Sequence, residues 1–268
     1  MNAIKNNELS FRIEGHLARI TLNRPDVYNA LSDEMRDGLR QSVEILRKNT
    51  DIRIVILTGA GKAFCAGGDI KLMKQRIDDE TSYRTRLETY RRDVADVVKD
   101  LCSIRQPVIA LINGHAFGAG ATLAMLCDIR ISSENAKFGL PFGKRGLIPD
   151  WGATYFLPRI VGRSKAIGLM ATGRSFDAKK ALQIGFVDEV VAHEELEDFV
   201  KAYCQDILES SPFSIMAAKA AIYQSLESGL DAALEIESKV QSECYLTDDH
   251  REGVECFLEK RPPKFTGS

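Results

Sequence analysis

Hydrophobic residues along the first two thirds of the chain alternate between strand-like and helix-like spacing. Residues Leu17–Leu22 alternate apolar and polar side chains, which predicts a strand. Ser32, followed by two acidic residues, is a typical N-cap and predicts a helix start. The next apolar residues recur at helical spacing: Met35, Leu39, Val43 and Leu46. Arg53–Gly59 carries four consecutive aliphatic residues and predicts a strand buried on both faces.

The same alternation continues further along the chain. Pro107–Ile112 predicts a strand, a helix is expected to begin near Ala119, and Asp128–Ser132 predicts another strand. Strands that alternate with helices in this way favour an α/β architecture with parallel pairing. The polar stretch Gln75–Thr85 is expected to be a mobile loop.

From Ala178 onward the spacing is helical, apart from a short strand expected at Val187–Val191. Several amphipathic helices are expected after His193, and no low-complexity linker precedes them. We therefore predict a core over residues 1–195 and a helical region over residues 196–268.

Two Gly/Ala-rich segments stand where predicted strands end. Ala63–Asp69 reads AFCAGGD, and Asn113–Ala124 reads NGHAFGAGATLA. Small residues at such turns allow a ligand to approach backbone N–H groups closely, and two such turns can direct two donors at one oxygen. Ala119 and Gly120 stand where a strand is expected to give way to a helix, and the start of a helix leaves N–H groups without partners. Ala119 is therefore the expected donor of the second turn, and Ala66 is the candidate donor of the first. The alternative is that these glycines serve only tight turns and close packing.

Composition and charge argue against several classes of function. The 268 residues are 44% hydrophobic and 28% charged, with a net charge of -2, which is typical of a globular protein and gives no general attraction to nucleic acid or anionic membranes. Six cysteines without a C-x-x-C pair indicate free thiols in a reducing cytosol and no metal site. Met1–Arg12 has no apolar run, so no secretory signal is expected and the expected location is cytoplasmic. The apolar stretch Val108–Ile129 is interrupted by polar residues and glycines, which favours a buried strand–turn–helix over a membrane span.

Five ordered segments resemble the crotonase superfamily, which is the enoyl-CoA hydratase/isomerase family. They are spread along nearly the whole length of the chain and read ITLNRPDVYNAL (Ile20–Leu31), VILTGAGKAFCAGGDI (Val55–Ile70), PVIALINGHAFGAGATLAMLCDIRI (Pro107–Ile131), AKFGLPFGKRGLIPDWGATYFLPRIVG (Ala136–Gly162) and EGVECFLEKRPPKF (Glu252–Phe265).

The resemblance implies a spiral of repeated strand–strand–helix units and C-terminal helices that mediate a homotrimer or a hexamer. It implies an acyl-CoA thioester as substrate, with its oxygen between the N–H groups of Ala66 and Ala119, and no other cofactor. Residues expected to line the acyl-CoA path are Arg24, Asp26, Val27, Tyr28, Ala66, Gly67, Gly68, Asp69, Ile70, Thr122 and Phe142. For Asp69, capping the next helix is an equally good interpretation.

Two departures from the family pattern bear on the reaction. Hydratases of this family use two glutamates to orient and activate water, and this chain has Thr122 and Phe142 at those positions. Neither side chain exchanges protons as a carboxylate does, so hydration by the usual mechanism is not expected.

Asp150, in the segment GLIPDWGAT, stands where some members carry an acid. It resembles in this respect the dienoyl-CoA isomerases, ring-opening epoxyphenylacetyl-CoA isomerases and aryl-CoA dehalogenases. Near Phe142 and other apolar groups its pKa is expected to be raised, which suits a base that removes and returns a proton. The alternative is that Asp150 only caps a helix over Trp151–Leu157.

We therefore expect an enzyme that moves a double bond, or opens a ring, through a thioester enolate. Asp150 would carry the proton while Ala66 and Ala119 hold the oxygen. Four other readings stay open: a hydratase in which Thr122 and Asp150 position water, a dehalogenase with Asp150 as nucleophile, an acyl-CoA-binding protein without turnover, and an RNA-binding protein, which the acidic balance disfavours.

Overall fold

The computed structural model describes residue 4, residues 6–78 and residues 82–268; of residues 76–78 it describes only the backbone. Two compact units make up the chain. The first consists of Met1–Ile104 and Val108–Val200, and the second of Arg105–Pro107 and Lys201–Ser268.

A six-stranded sheet forms the centre of the first unit, with strand order β1-β2-β3-β5-β7-β10. The first pair is antiparallel and the remaining pairs are parallel. The strands are β1 (Leu9–Glu14), β2 (Leu17–Leu22), β3 (Ile54–Gly59), β5 (Val108–Ile112), β7 (Ile129–Ser133) and β10 (Glu189–Val191). Every residue of β3 and β5 is buried, as their continuous apolar runs predict for parallel strands covered on both faces.

A second sheet of four short strands runs alongside, in the order β4-β6-β8-β9. Its members are β4 (Ala63–Cys65), β6 (His115–Phe117), β8 (Lys137–Gly139) and β9 (Phe176–Asp177). The chain passes from β3 to β4, from β5 to β6 and from β7 to β8, so each turn of the chain adds one strand to each sheet. This arrangement confirms the expected α/β spiral of repeated strand–strand–helix units.

Helices follow the strands through the rest of the described chain. They are α1 (Asp33–Lys48), α2 (Ile70–Asp78), α3 (Tyr83–Tyr90), α4 (Asp96–Cys102), α5 (Ala119–Met125), α6 (Ala153–Val161), α7 (Arg163–Thr172), α8 (Ala178–Gln183), α9 (Leu196–Leu208), α10 (Pro212–Ser225), α11 (Leu230–Tyr245) and α12 (Asp248–Glu259). Ser32 caps α1 as predicted, because its hydroxyl accepts the Met35 N–H at 3.1 Å. A π-helical turn over Arg91–Ala95 connects α3 to α4.

Two sequence expectations differ from these bounds. The stretch Gln75–Thr85 was expected to be a loop, but its described parts belong to α2 and to the start of α3; residues 79–81 lie outside the described chain. The expected strand Val187–Val191 begins only at Glu189. Asp188 instead accepts the Arg130 backbone N–H at 2.7 Å and pairs with the Arg130 guanidinium at 3.0 Å.

The core of the first unit lies between the sheets and the helices that cover them. Its largest fully buried aromatic side chains are Phe11, Phe64, Phe138 and Phe186. Asp128 acts as a structural acid at the edge of this core, because its carboxylate accepts the Val108 N–H at 2.7 Å. This hydrogen bond holds the first residue of β5, the strand that leads into the second Gly/Ala-rich turn.

In the second unit, Asp249 holds the C-terminal tail. Its buried carboxylate accepts the N–H groups of Thr266 and Gly267 and the hydroxyl of Ser211. A cavity of about 1300 Å³ lies among α10, α11 and α12. Of the helices in the described part of the chain, none combines the length and the apolar character that crossing a membrane requires.

Candidate active site

The two Gly/Ala-rich turns predicted from the sequence lie directly against each other. Gly67, in the turn after β4, has φ +94°, and a Cβ there would stand 2.5 Å from the Phe117 carbonyl oxygen and 3.2 Å from the Ala119 nitrogen. Only glycine avoids both the strained backbone and the clash. The first turn therefore reaches the second one at the residues where α5 begins.

The second turn depends on the first in the same way. Gly118 has φ 52° and ψ −125°, a conformation that only glycine adopts readily, and it turns the chain from β6 into α5. A Cβ on Gly120 would stand 2.1 Å from the Cys65 carbonyl oxygen. Each turn therefore occupies space that a side chain on the other would need.

The amides of these turns correct one expectation. The Ala66 N–H was expected to face a ligand, but it donates to the carbonyl oxygen of Tyr28 at 2.9 Å. It is therefore not available to a substrate oxygen. The amides of Gly68 and Ala119 have no acceptor among the described residues, and both residues line the same cavity. The pair of available donors is thus Gly68 and Ala119.

This cavity has a volume of about 550 Å³ and lies entirely within the first unit. The residues predicted from the sequence that line it are Arg24, Val27, Ala66, Gly68, Asp69, Ile70, Ala119, Phe142 and Asp150. Its volume falls within the range of small-molecule sites.

Four predicted site residues do not line the cavity, and each has a structural reason. The Thr122 side chain is fully buried, and its hydroxyl donates back to the Gly118 carbonyl at 3.2 Å. Gly67 is packed on Phe117 and Ala119. Tyr28 holds Ala66 through its carbonyl, and Asp26 is an exposed residue of a single 3-10 turn.

Asp69 holds the start of α2 and is ion-paired, which supports the capping interpretation. One carboxylate oxygen accepts the Lys71 N–H at 2.9 Å, and the other pairs with Arg24 at 3.1 Å. Burial alone would raise the pKa of this carboxyl, but the hydrogen bonds from Arg24 and Lys71 outweigh burial and lower the pKa. Asp69 therefore keeps its charge more firmly than a free aspartate does, and it is a poor carrier of protons at neutral pH.

Asp150 has the opposite electrostatic environment. Its Oδ1 is buried and has no hydrogen-bond partner in the described part of the chain. Burial raises the pKa of this carboxyl to about 6, against a small opposing effect of its own backbone N–H. At neutral pH the carboxylate is ionised but close to its pKa, so it can both accept and return a proton.

The alternative interpretation of Asp150, as the N-cap of a helix over Trp151–Leu157, is wrong. α6 begins at Ala153 instead of Trp151, and Gly152 is its cap residue. Trp151 and Gly152 have φ 55° and 85°, and the Ala153 N–H donates to the Asp150 carbonyl at 3.0 Å. The Asp150 side chain is thus carried by a tight left-handed turn, and it does not cap the helix.

Apolar side chains form the wall around Asp150 and the two amides. Phe142 and Trp151 are buried and line the cavity, as does Val94 from the π-helical turn. A Cβ on Gly118 would lie 3.9 Å from the tip of the Phe142 ring, so this ring covers the start of α5. The Phe142 ring makes this end of the cavity apolar, and a hydrogen bond that an amide donates to a ligand is stronger in such an environment than in water.

Sequence reasoning missed Gly68 as a donor and Val94, Met73 and Phe117 as cavity walls. The signal for Gly68 was present in the Gly-Gly pair, but the sequence does not show which amide of a turn is already bonded to a distant carbonyl. The wall residues had no motif, since single apolar residues on helices are more often core residues.

Comparison with known proteins agrees with this geometry. The sequence model of the enoyl-CoA hydratase/isomerase family matches residues 12–268. The chain is 38% identical to 1,2-epoxyphenylacetyl-CoA isomerase of Escherichia coli (strain K12) over 256 residues, which is 95% of this chain and 97% of the relative. It is 36% identical to a short-chain-enoyl-CoA hydratase of Clostridium acetobutylicum (strain ATCC 824) over 258 residues, 95% of this chain and 96% of the relative.

A solved structure gives the same result for the fold. The crystal structure of an enoyl-CoA hydratase from Bacillus anthracis superposes with a TM-score of 0.91 at 33% identity and covers 97% of this chain and 100% of its own. Family, fold and the paired turns therefore agree: the chain belongs to the enoyl-CoA hydratase/isomerase family, the crotonase superfamily.

Proposed function

We propose that the protein isomerises an acyl-CoA thioester by moving a double bond, or opening a ring, through an enolate. The observation that carries this proposal is the composition of the cavity of the first unit. It combines two unbonded backbone amides, from Gly68 and Ala119, with one buried carboxyl of raised pKa, that of Asp150.

In the proposed reaction the ionised Asp150 removes a proton from carbon next to, or conjugated with, the thioester carbonyl. The electron pair of that C–H bond moves to the carbonyl oxygen, and the Gly68 and Ala119 N–H groups stabilise the negative charge there. The protonated Asp150 then returns the proton to a different carbon, so the double bond moves and no atom is gained or lost. The reaction requires no cofactor besides the thioester itself.

Two features weigh against hydration. The Thr122 hydroxyl is committed to the Gly118 carbonyl and does not reach the cavity, so it is not available to orient water. Phe142 stands where the second hydratase glutamate is expected, and its buried ring makes that part of the cavity apolar. Of the two carboxylates that line the cavity among the described residues, Asp69 is ion-paired with Arg24, which leaves Asp150 to handle protons. A single proton carrier suits a transfer between two carbons better than the addition of water.

The proposal extends to the oligomeric state of the protein. Exposed apolar side chains concentrate on the second unit, where Leu246, Phe257 and Leu258 are 88%, 82% and 73% exposed. Apolar patches of this kind mark protein–protein contacts. We propose that this unit forms the contacts of a homotrimer or a dimer of trimers.

Isotope labelling distinguishes isomerisation from hydration directly. A panel of enoyl-, dienoyl- and epoxyphenylacetyl-CoA esters is incubated with the enzyme in water enriched in oxygen-18, and the products are identified by mass spectrometry. We expect products of unchanged mass and shifted double bond or ring, without the heavy oxygen. Products that gain one labelled water would show a hydratase instead, and tight thioester binding without turnover of any ester would show a binding protein.

The pH dependence of the rate should follow the ionisation of the Asp150 carboxyl. Because the carboxyl must be ionised to take a proton, kcat/KM is expected to rise through the acid range with a midpoint near 6 and to level off above it. Steady-state rates on one good substrate from the panel, with enzyme stability checked at each pH, measure this profile. A rate that is already constant well below the midpoint would contradict a role for Asp150 as base.

A further inference from the structure

The two amides that face the cavity belong to peptide units whose carbonyl groups are held from behind. The carbonyl of each unit comes from the preceding residue, which is Gly67 for the Gly68 amide and Gly118 for the Ala119 amide. In a trans peptide unit the C=O and the N–H point in opposite directions. A hydrogen bond that holds the carbonyl on one side therefore fixes the direction of the N–H on the other side.

The peptide unit of the Gly68 amide is held by the backbone. The Leu31 N–H donates to the Gly67 carbonyl at 2.8 Å, on the side of the unit opposite the Gly68 N–H. This hydrogen bond joins two main-chain groups, so a side-chain substitution does not remove it.

The peptide unit of the Ala119 amide is held by a side chain as well. The Gly118 carbonyl accepts the backbone N–H of Thr122 at 3.0 Å and also the Thr122 hydroxyl at 3.2 Å. The first of these is the ordinary bond across four residues at the start of α5, and the hydroxyl adds a second donor to the same oxygen. Because a glycine has many accessible conformations, contacts of this kind decide which one Gly118 adopts.

Burial gives the Thr122 hydroxyl its influence on the Ala119 amide. Thr122 is fully buried, so the hydroxyl acts on the Gly118 carbonyl without competition from solvent. Hydrogen bonds that follow one another through a peptide unit polarise that unit and strengthen each other in a protein interior. An N–H whose carbonyl accepts two hydrogen bonds is therefore a stronger donor to an oxygen that gains negative charge.

We propose that Thr122 is a positioning residue for the Ala119 amide: its hydroxyl holds the Gly118 carbonyl and thereby directs and strengthens the N–H that binds the thioester oxygen. This inference rests on the proposed function, in which the Ala119 and Gly68 amides stabilise the enolate. The position at which hydratases of the family carry a glutamate that acts on water thus serves the oxygen-binding amide in this chain.

The test is Thr122→Val, which keeps the branched shape of the side chain and removes only the hydroxyl. The Gly118 carbonyl still accepts the backbone N–H of residue 122, so the change leaves this carbonyl with a partner. We expect kcat to fall about fivefold, the effect of one modest hydrogen bond, while the thermal unfolding temperature is not lowered. Thr122→Ser retains the hydroxyl and should keep most of kcat.

Thr172 provides the matched control. Its hydroxyl donates to the Gly168 carbonyl at 2.8 Å, which is the same bond across four residues, but it lies at the exposed end of α7 and outside the cavity. Thr172→Val therefore makes the same chemical change in a helix without a proposed role in binding the thioester. This variant should keep wild-type kcat and KM.

Infrared spectroscopy of a bound thioester measures the strength of the donor without turnover. Butanoyl-CoA labelled with carbon-13 at the thioester carbonyl is bound to each variant, and the stretching frequency of the labelled C=O is recorded. A stronger hydrogen bond to the oxygen lowers this frequency. We expect the band to move to higher frequency in Thr122→Val and to keep its wild-type position in Thr122→Ser and Thr172→Val.

Three results would each overturn the positioning role. They are wild-type kcat in Thr122→Val, an unshifted carbonyl band in that variant, and a loss of kcat that is equally large in Thr122→Ser. Products that carry labelled oxygen in the isotope experiment would instead overturn the proposed isomerisation. The infrared comparison would then still decide the role of Thr122, because it needs only a bound thioester, so the two failures are distinguishable.

Discussion

Asp150→Asn should abolish isomerisation and, at neutral pH, make the protein more stable. The substitution keeps the shape of the side chain but removes its ability to take up a proton, so we expect the rate to fall by about 10²–10⁴-fold, the range for losing a general base. Thioester binding should be retained, because the amides of Gly68 and Ala119 are main-chain groups.

The stability effect follows from the sign of the pKa shift. Burial raises the pKa of Asp150 from 3.8 to about 6 in the folded protein, so the folded state binds this proton more tightly than the unfolded state does. Stability therefore falls as pH rises from about 4 to about 6, and the full penalty, on the order of 1–3 kcal/mol, is present above that range. Asparagine has no charge to bury, so the variant should gain stability above pH 6 and none at pH 4.

Urea unfolding at several pH values, together with kcat on the best substrate, measures both effects. Asp69→Asn is the matched control, because its carboxylate is held ionised by Arg24 and its pKa is lowered. That variant should lose stability at neutral pH. Retention of near wild-type turnover by Asp150→Asn would refute its catalytic role, and a loss of stability at neutral pH would mean that its charge is not buried unpaired.

Gly120→Ala should separate the two turns and remove the paired donors. The added methyl group would stand 2.1 Å from the Cys65 carbonyl oxygen. Because this oxygen belongs to the backbone, no side-chain rotation relieves the clash, and the start of α5 must move away from the turn at Gly67 and Gly68. We expect kcat/KM to fall about 10²–10³-fold, the loss measured when one donor of an oxyanion hole is removed. Overpacking should also lower the free energy of unfolding by about 1–3 kcal/mol.

The control for this variant is Gly168→Ala, in the interior of α7, where an added methyl group meets nothing within 4 Å. Alanine is the better helix former, so this variant should be more stable by up to about 1 kcal/mol and fully active. Steady-state kinetics and urea unfolding of both variants make the comparison. Wild-type kcat/KM in Gly120→Ala would show that catalysis does not depend on the contact between the turns.

The sequence predicted the parts of this molecule that depend on residues close to one another along the chain. Buried strands such as β3 and β5 follow from runs of aliphatic residues, and the cap of α1 follows from Ser32 and the acidic residues after it. The two glycine-rich turns stood out because few other residues tolerate such turns. Asp150 stood out through the resemblance, because some members of the family carry an acid at that position, and its apolar neighbours predicted the raised pKa.

Most of the errors involve partners that are distant in sequence or backbone conformations without a sequence signal. Ala66 lost its expected role because its amide bonds to Tyr28, and nothing in the local sequence shows that pairing. Thr122 turned out to bond its own helix. The left-handed Trp151 moved the start of α6, although tryptophan rarely adopts that conformation. The π-helical turn beside Tyr90 likewise had no signal in the hydrophobic spacing.

Because both amides that are proposed to bind the thioester oxygen belong to the main chain, their ability to donate hydrogen bonds does not depend on which side chains line the cavity. The mutual fit of Gly67 and Gly120 fixes the distance between the turns, while the residues at positions 94, 142 and 150 stand on separate segments. In the proposed mechanism, substitutions at these positions would redirect the enolate toward a new product and leave the two amides that stabilise it in place. A scaffold of this kind can acquire new reactions one side chain at a time.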